Sequence, residues 1–290
     1  MSTFDTPTPI SVTLELGAGD VRIAAGDRAD TIVEVRPSDA AKKSDVTAAE
    51  QTRVEYAGGR LVIKAPKRRR QWTPRGGHES IDVQIDLPAG SHVRGEAGMA
   101  SFRSSGRLGE GHFKTGVGEI GLDQAGPVQL RVGGGDITVG RLTGDAELNT
   151  GTGMVQVGSI DGAAVVKNSN GDIWIGEVTG ELRVNAGNGK IAVEKAHAPV
   201  TAKTANGDVR LGEVAHGAVT AVTSCGKVEV GIRDGVAAWL DLNTGYGNVN
   251  SDLEAERPEP GQDTVEVRVR TAFGDISVRR VVVTDAGKAL

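Results

Sequence analysis

Two tetrapeptides in the 290-residue chain, EKAH at Glu194–His197 and EVAH at Glu213–His216, repeat an E-x-x-H spacing. They offer the nitrogen and oxygen donors that zinc accepts. E-x-x-H brings both groups to one face only on a helix, and no helical periodicity surrounds either copy, so ordinary turn residues are expected. Cys225, the single cysteine, is a nucleophile only with a positioned base. His216 is on the preceding turn, nothing in the sequence places it, and a small buried or semi-buried turn thiol is expected. Asp136, Met154, Asp172, Lys190, Asp208 and Lys227 recur in one place of a repeated phrase. Calcium requires six to eight oxygens, and lysines in that column repel it. A solvated charge ladder is the expectation, with no metal, no cofactor and no catalytic residue assigned.

The strongest local charge anomaly is KAPKRRRQWTPRG, Lys64–Gly76. It holds Lys67, Arg68, Arg69, Arg70 and Arg75 around Trp72 with no acid. Such a loop is a solvated connection, a dock for an anionic partner, or a contact for phosphates and bases. A single loop is a small footprint for nucleic acid, and the formal net charge of −5 argues against general nucleic-acid binding. A solvated loop is the expectation for this stretch; for the chain as a whole a protein partner is expected, with glycan as the alternative.

What would position these residues is a repeat. NGDIWI, NGKIAV and NGDVRL, within Asn170–Leu211, begin 18 residues apart. Related phrases carry the glycines Gly118, Gly135, Gly153, Gly171, Gly189, Gly207, Gly226, Gly247 and Gly274, and an early copy, GAGDVRI, lies at Gly17–Ile23. Each phrase alternates apolar and polar residues, the strand period. Each has an alternating partner half a repeat away, such as ELRVNA or PVTAKT. A unit of two short strands and two turns cannot bury its own apolar side, but stacked units can. The pattern predicts an all-β fold: a parallel β-helix or β-roll solenoid with about 18 residues per coil and an irregular N-terminal β cap. Apolar columns follow, among them Ile137, Val155, Ile173, Ile191 and Val209, and Leu148, Val166, Val184 and Ala202. Glycine makes the tight reversals at positive φ, and asparagine is next best. Asn170, Asn188 and Asn206 precede key glycines, and stacking would place their amides about 4.8 Å apart. The GxG phrases are not dinucleotide fingerprints, because a strand rather than a helix follows each.

The serial GxGD[IV]xV phrases, with IDLPAG at Ile85–Gly90, resemble the bacterial DUF4097 family, whose members are often labelled "putative adhesin". The resemblance covers Ile10 to Val281 and implies a parallel β-helix or β-roll. It implies no catalytic residues.

Before about Ile81 the rhythm is irregular. TRVEYAGGRLVIKAP reads as a hairpin turning at Gly58–Gly59, and SDAAKKSDVTAAEQ as a short helix or an ordered loop. Residues 1–90 are read as a β-rich cap continuous with a solenoid over 91–290. In that solenoid Asp252–Asp263 is a solvated insertion, after which the ladder resumes, and TDAGKAL is a frayed tail. No 18-residue apolar run and no signal peptide are visible, so a cytoplasmic protein without a membrane span is expected. The functional expectation is a non-enzymatic scaffold that binds another protein through outward residues such as Trp174, Arg183 and Arg210. A carbohydrate-binding protein or polysaccharide-active enzyme on a long face is the alternative.

Overall fold

The computed structural model describes residues 1–66, 79–253 and 263–281. The chain divides into two compact units, Met1–Gly153 and Met154–Leu290. In the first, the elements are β1 (Ser2–Asp5), β2 (Ser11–Gly26), β3 (Asp30–Pro37), α1 (Lys43–Gln51), β4 (Arg53–Ala57), β5 (Arg60–Lys64), β6 (Ile81–Pro88), β7 (His92–Arg107), β8 (Gly111–Val117), β9 (Ile120–Ala125), β10 (Val128–Gly134), β11 (Ile137–Leu142) and β12 (Ala146–Thr152). One face of its stack runs β5–β2–β7–β8–β10–β12 and the other β6–β2–β7–β9–β11, all parallel. The early GAGDVRI copy is part of this stack, because β2 pairs with β7 from Ser11↔His92 to Ala25↔Gly106. The irregular region is antiparallel: β1 on β3, β3 on β6, and the β4–β5 hairpin turning at Gly58 and Gly59, both at positive φ. SDAAKKSDVTAAEQ does contain a helix, α1, whose buried Asp45 is bonded to Lys42 at 2.9 Å.

The second unit has β13 (Val155–Ile160), β14 (Ala164–Asn170), β15 (Ile173–Val178), β16 (Leu182–Asn188), β17 (Ile191–Ala196), β18 (Val200–Asn206), β19 (Val209–Val214), β20 (Gly217–Cys225), β21 (Val228–Arg233), β22 (Ala237–Tyr246), β23 (Val249–Ser251), β24 (Thr264–Phe273) and β25 (Ile276–Val281). Every ladder in it is parallel. Val155, Ile173, Ile191 and Val209 are direct register partners and are essentially fully buried. Val166, Val184 and Ala202 are partners on the opposite face, equally buried. The sequence columns are therefore physical columns, one 18-residue coil apart. The core is aliphatic because each column admits only side chains that pack on their own copies above and below.

The key glycines answer to two constraints at once. Gly189 and Gly207 have φ of 139° and 142°, a region that L side chains rarely adopt. A Cβ on Gly189 would lie 2.1 Å from the carbonyl oxygen of Gly171, and one on Gly207 2.0 Å from that of Gly189. The turn conformation and the close stacking of consecutive turns both exclude a side chain.

The end of the second unit departs from sequential stacking. The ladder does resume at Thr264, but not beyond the coil that contains Gly247. β24 pairs with β20 on one side and β22 on the other, and β25 sits between β21 and β23. The coil of β24 and β25 is thus inserted between its two predecessors, and the spatial order of key glycines is Gly226, Gly274, Gly247. The repeated phrase explains why this is allowed: its apolar columns and turn glycine fit a neighbour on either side. Residues 254–262 of the sequence-defined insertion, and 282–290 of the expected tail, lie outside the described residues. Among the described residues no helix is long and apolar enough to cross a membrane.

Candidate functional site

Stacking converts outward positions into rows. On the face built by β13, β15, β17, β19 and β21, the direct partners are Gln156, Trp174, Ala192, Arg210 and Glu229. Ala192 is small and buried, so Trp174 and Arg210 stand on either side of a low point. The column two residues further along is Gly158, Gly176, Glu194 and Gly212. A Cβ on Gly176 would meet the carbonyl oxygen of Gly158 at 2.3 Å and the Trp174 ring at 3.2 Å. The indole therefore leans over a strip kept bare by glycine.

Glu194 interrupts that strip and joins the two predicted residues. Trp174 donates its indole N–H to Glu194 Oε1 at 3.4 Å, and Arg210 Nη2 lies 3.8 Å from Glu194 Oε2. Arg210 Nε is buried and has no hydrogen-bond partner among the described residues. Leaving such a donor unsatisfied costs about 1–3 kcal/mol. The patch thus combines a half-buried aromatic plate, a carboxylate and a guanidinium.

Arg183 does not join this cluster. It lies on β16, in the opposite face's row with Val165 and Thr201, and bonds to Glu181 at 2.7 Å. Lys67, Arg68, Arg69, Arg70, Trp72 and Arg75 lie outside the described residues. Lys64, at the start of that basic stretch, pairs with Glu15 at 2.9 Å.

The other chemical candidates resolve into structural contacts. His197 Nε2 pairs with Glu177 of the preceding coil at 2.8 Å rather than with Glu194, and His216 Nδ1 faces Asp263 at 3.6 Å. The buried Glu213 is held by Arg233 at 3.2 Å. The two E-x-x-H copies therefore do not converge, because neighbouring residues of a strand point to opposite faces. Among the described residues no group of three or more His, Cys, Asp or Glu is placed to hold a metal ion. The aspartates of the alternating column accept backbone N–H groups from the next coil. Asp172 Oδ1 accepts from Lys190 at 2.8 Å, and Asp208 Oδ1 from Lys227 at 2.8 Å. This carboxylate ladder caps turn amides.

Cys225 corrects the expectation of a buried or semi-buried thiol: it is exposed. It occupies the outward corner column, in register with Asn206 on one side and Phe273 on the other. Phe273 is stacked on Tyr246, with ring centroids 5.1 Å apart and planes 5° from parallel. The asparagines of the same column do form the expected ladder, with Asn188 Nδ2 bonded to Asn170 Oδ1 at 2.9 Å and Asn206 Nδ2 to Asn188 Oδ1 at 2.8 Å.

Sequence reasoning set Glu194 in an E-x-x-H pair rather than between Trp174 and Arg210, and it missed the exposed aromatics of the last coils, Trp239, Tyr246 and Phe273. The signal for Glu194 was present: it stands where neighbouring coils have glycine. The aromatics are exposed because Trp239 and Tyr246 share β22, with Phe273 in register beside Tyr246 on β24.

The glycine-bearing turns, the apolar columns and the two-faced parallel stack are those of one family: the match to Toastrack DUF4097 spans residues 10–279. The chain belongs to the Toastrack DUF4097 family. No curated protein matches it. Among solved structures it is similar to a "putative adhesin" from Parabacteroides distasonis ATCC 8503, at 15% identity over 97% of this chain and 95% of that one, with a TM-score of 0.45. It is also similar to a "putative cell adhesion protein" from Clostridium sporogenes ATCC 15579, at 13% identity over 97% and 98%, with a TM-score of 0.23. At these identities and TM-scores the two likenesses carry no argument about what this Toastrack chain binds.

Proposed function

We propose that this Toastrack protein is a non-enzymatic interaction scaffold that binds another protein on the outward face of β15, β17 and β19. The observation that supports this reading is the Trp174–Glu194–Arg210 cluster, in which a tryptophan is braced over glycine and shares Glu194 with an arginine. Tryptophan and arginine are the residue types most often found at the energetic centre of protein interfaces. The bracing reduces the side-chain entropy lost on binding. The carboxylates around the cluster are engaged by Trp174, Arg210, His197 and Arg233, a pattern of support rather than of an acid–base pair.

Affinity capture from a native lysate with wild type and Trp174→Ala in parallel tests the proposal. Loss of a specific protein with Trp174→Ala, at unchanged thermal stability, supports it. Equal capture by both overturns it. The same indole plate beside charged groups also suits a sugar ring, so a glycan is the second reading. Incubation with acidic and neutral polysaccharides, followed by binding and product analysis, separates the two. Reproducible cleavage would replace the scaffold reading with an enzymatic one. The proposal also places the protein in the cytoplasm, which fractionation of the native source checks.

A further inference from the structure

The inserted coil leaves β22 and β23 as the outermost strands of the second unit. Among the described residues, β22 pairs only with β24, and β23 only with β25. Among the described residues no strand covers the apolar columns there. Val267, Val269 and Ile276 are fully buried, whereas Leu240 and Leu242 in register with the first two are only half-buried, and Val249, in register with Ile276, is 45% exposed. Trp239 and Tyr246 stand exposed beside them, Trp239 under Arg268 at 6.0 Å. This face is the surface that every inner coil of the unit presents to the next.

We infer that this end face is a docking surface for the same face of a second copy of the chain, giving a two-fold dimer. Three features select that occupant. First, the exposed interior is two strands wide. Leu240 and Leu242 belong to β22 and Val249 to β23, so a single added strand covers one side and leaves the other open. A second end coil brings both strands at once. Second, the charges are compatible with self-association. Asp241 is the one charged side chain on β22, and Arg270 engages both its oxygens, at 2.8 and 2.6 Å, while β23 carries none. Two copies therefore meet without opposing net charges. Free sheet edges are normally protected by charged side chains. The edge strand β4 of the first unit follows that rule with exposed Arg53 and Glu55. β22 does not. Third, a two-fold axis normal to the sheets lays β22 antiparallel on its counterpart and β23 on its own. That pairing is isologous and closes at two.

This surface is separate from the Trp174 patch, so the two proposals fail independently. Light scattering on the purified full chain across a wide concentration range reads the assembly, and amide hydrogen exchange reads the edge. The expected result is the mass of two chains, with β22 amides becoming more protected as concentration rises. Val249→Lys places a charge on the covered face and is expected to raise the dimer dissociation constant about a hundredfold or more. Trp174→Ala stays dimeric. Trp239→Lys provides a second probe on an exposed side chain should Val249→Lys disturb the last coil. A single-chain mass at all concentrations overturns the inference. So does a dimer whose β22 amides exchange independently of concentration, or association that grows beyond two.

Discussion

Asn188 donates its side-chain amide to Oδ1 of Asn170 at 2.9 Å, one coil away, and accepts the same bond from Asn206 at 2.8 Å. Each amide thus continues the stack that the backbone ladders make. The bonds are exposed, and their net worth is at the lower end of the usual 0.5–1.5 kcal/mol range. Asn188→Ala removes two of them and is expected to destabilise the second unit by about 1 kcal/mol. Urea unfolding followed by circular dichroism checks this. No change in midpoint would show that the ladder is decorative.

Gly189→Ala is expected to be far more damaging. The added methyl would lie 2.1 Å from the Gly171 carbonyl oxygen, at a backbone φ of 139°. Neither the neighbouring turn nor the residue itself can relieve that contact locally, and a loss of about 3 kcal/mol or more is expected. Gly58→Ala is the control. Its φ is 55° and nothing lies within 4 Å of the new methyl, so about 1–2 kcal/mol is the expected cost. Equal losses in the two variants would refute the stacking argument.

Val184 and Arg183 are adjacent in β16 and face opposite ways. Val184 is fully buried between Val166 and Ala202, while the Arg183 side chain is 61% exposed beside Glu181. Val184→Asp puts a carboxylate into an aliphatic column and should cost several kcal/mol. Arg183→Ala removes an exposed ion pair worth under about 1 kcal/mol. Thermal unfolding of both proteins is the measurement, and an inverted order would mean that the strand faces are misassigned.

Asp241 gives a pH dependence with a definite sign. Hydrogen bonding by Arg270 is the main influence. It outweighs desolvation, and together with the positive fields of Arg270 and Arg268 it holds the Asp241 carboxyl below its ordinary 3.8. A carboxyl with a depressed folded-state pKa contributes stability that is complete above the unfolded value. That contribution is lost as pH falls through the folded value. Asp241→Asn should therefore be less stable than wild type at neutral pH and show a shallower decline below the ordinary value. Urea midpoints collected across the acid range read the slope, and identical slopes would show that the Arg270 contact is not maintained in solution.

The sequence by itself determined the parallel stack, its 18-residue step, the members of each apolar column, the turn glycines and the asparagine ladder. The physical reason is that all of these repeat at one period. A side chain's neighbours are then its own equivalents, and reading the period is reading the contacts. The hairpin at Gly58–Gly59 was legible for a similarly local cause, the turn chemistry of glycine. Only the tertiary structure decided which coil lies beside which at the end of the second unit. GYGNVN and AFGDISV carry the same local instruction, and each fits either slot, so chain order carried no information about spatial order there. That decision placed Phe273 rather than Tyr246 beside Cys225 and left Leu240, Leu242 and Val249, rather than their β24 and β25 partners, on the last described coil. It also took three-dimensional packing to show that Trp174 and Arg210 share Glu194 while Arg183 faces away. Period assigns a residue to a row, but contacts between rows depend on side-chain length and on the bare glycine strip beneath the indole.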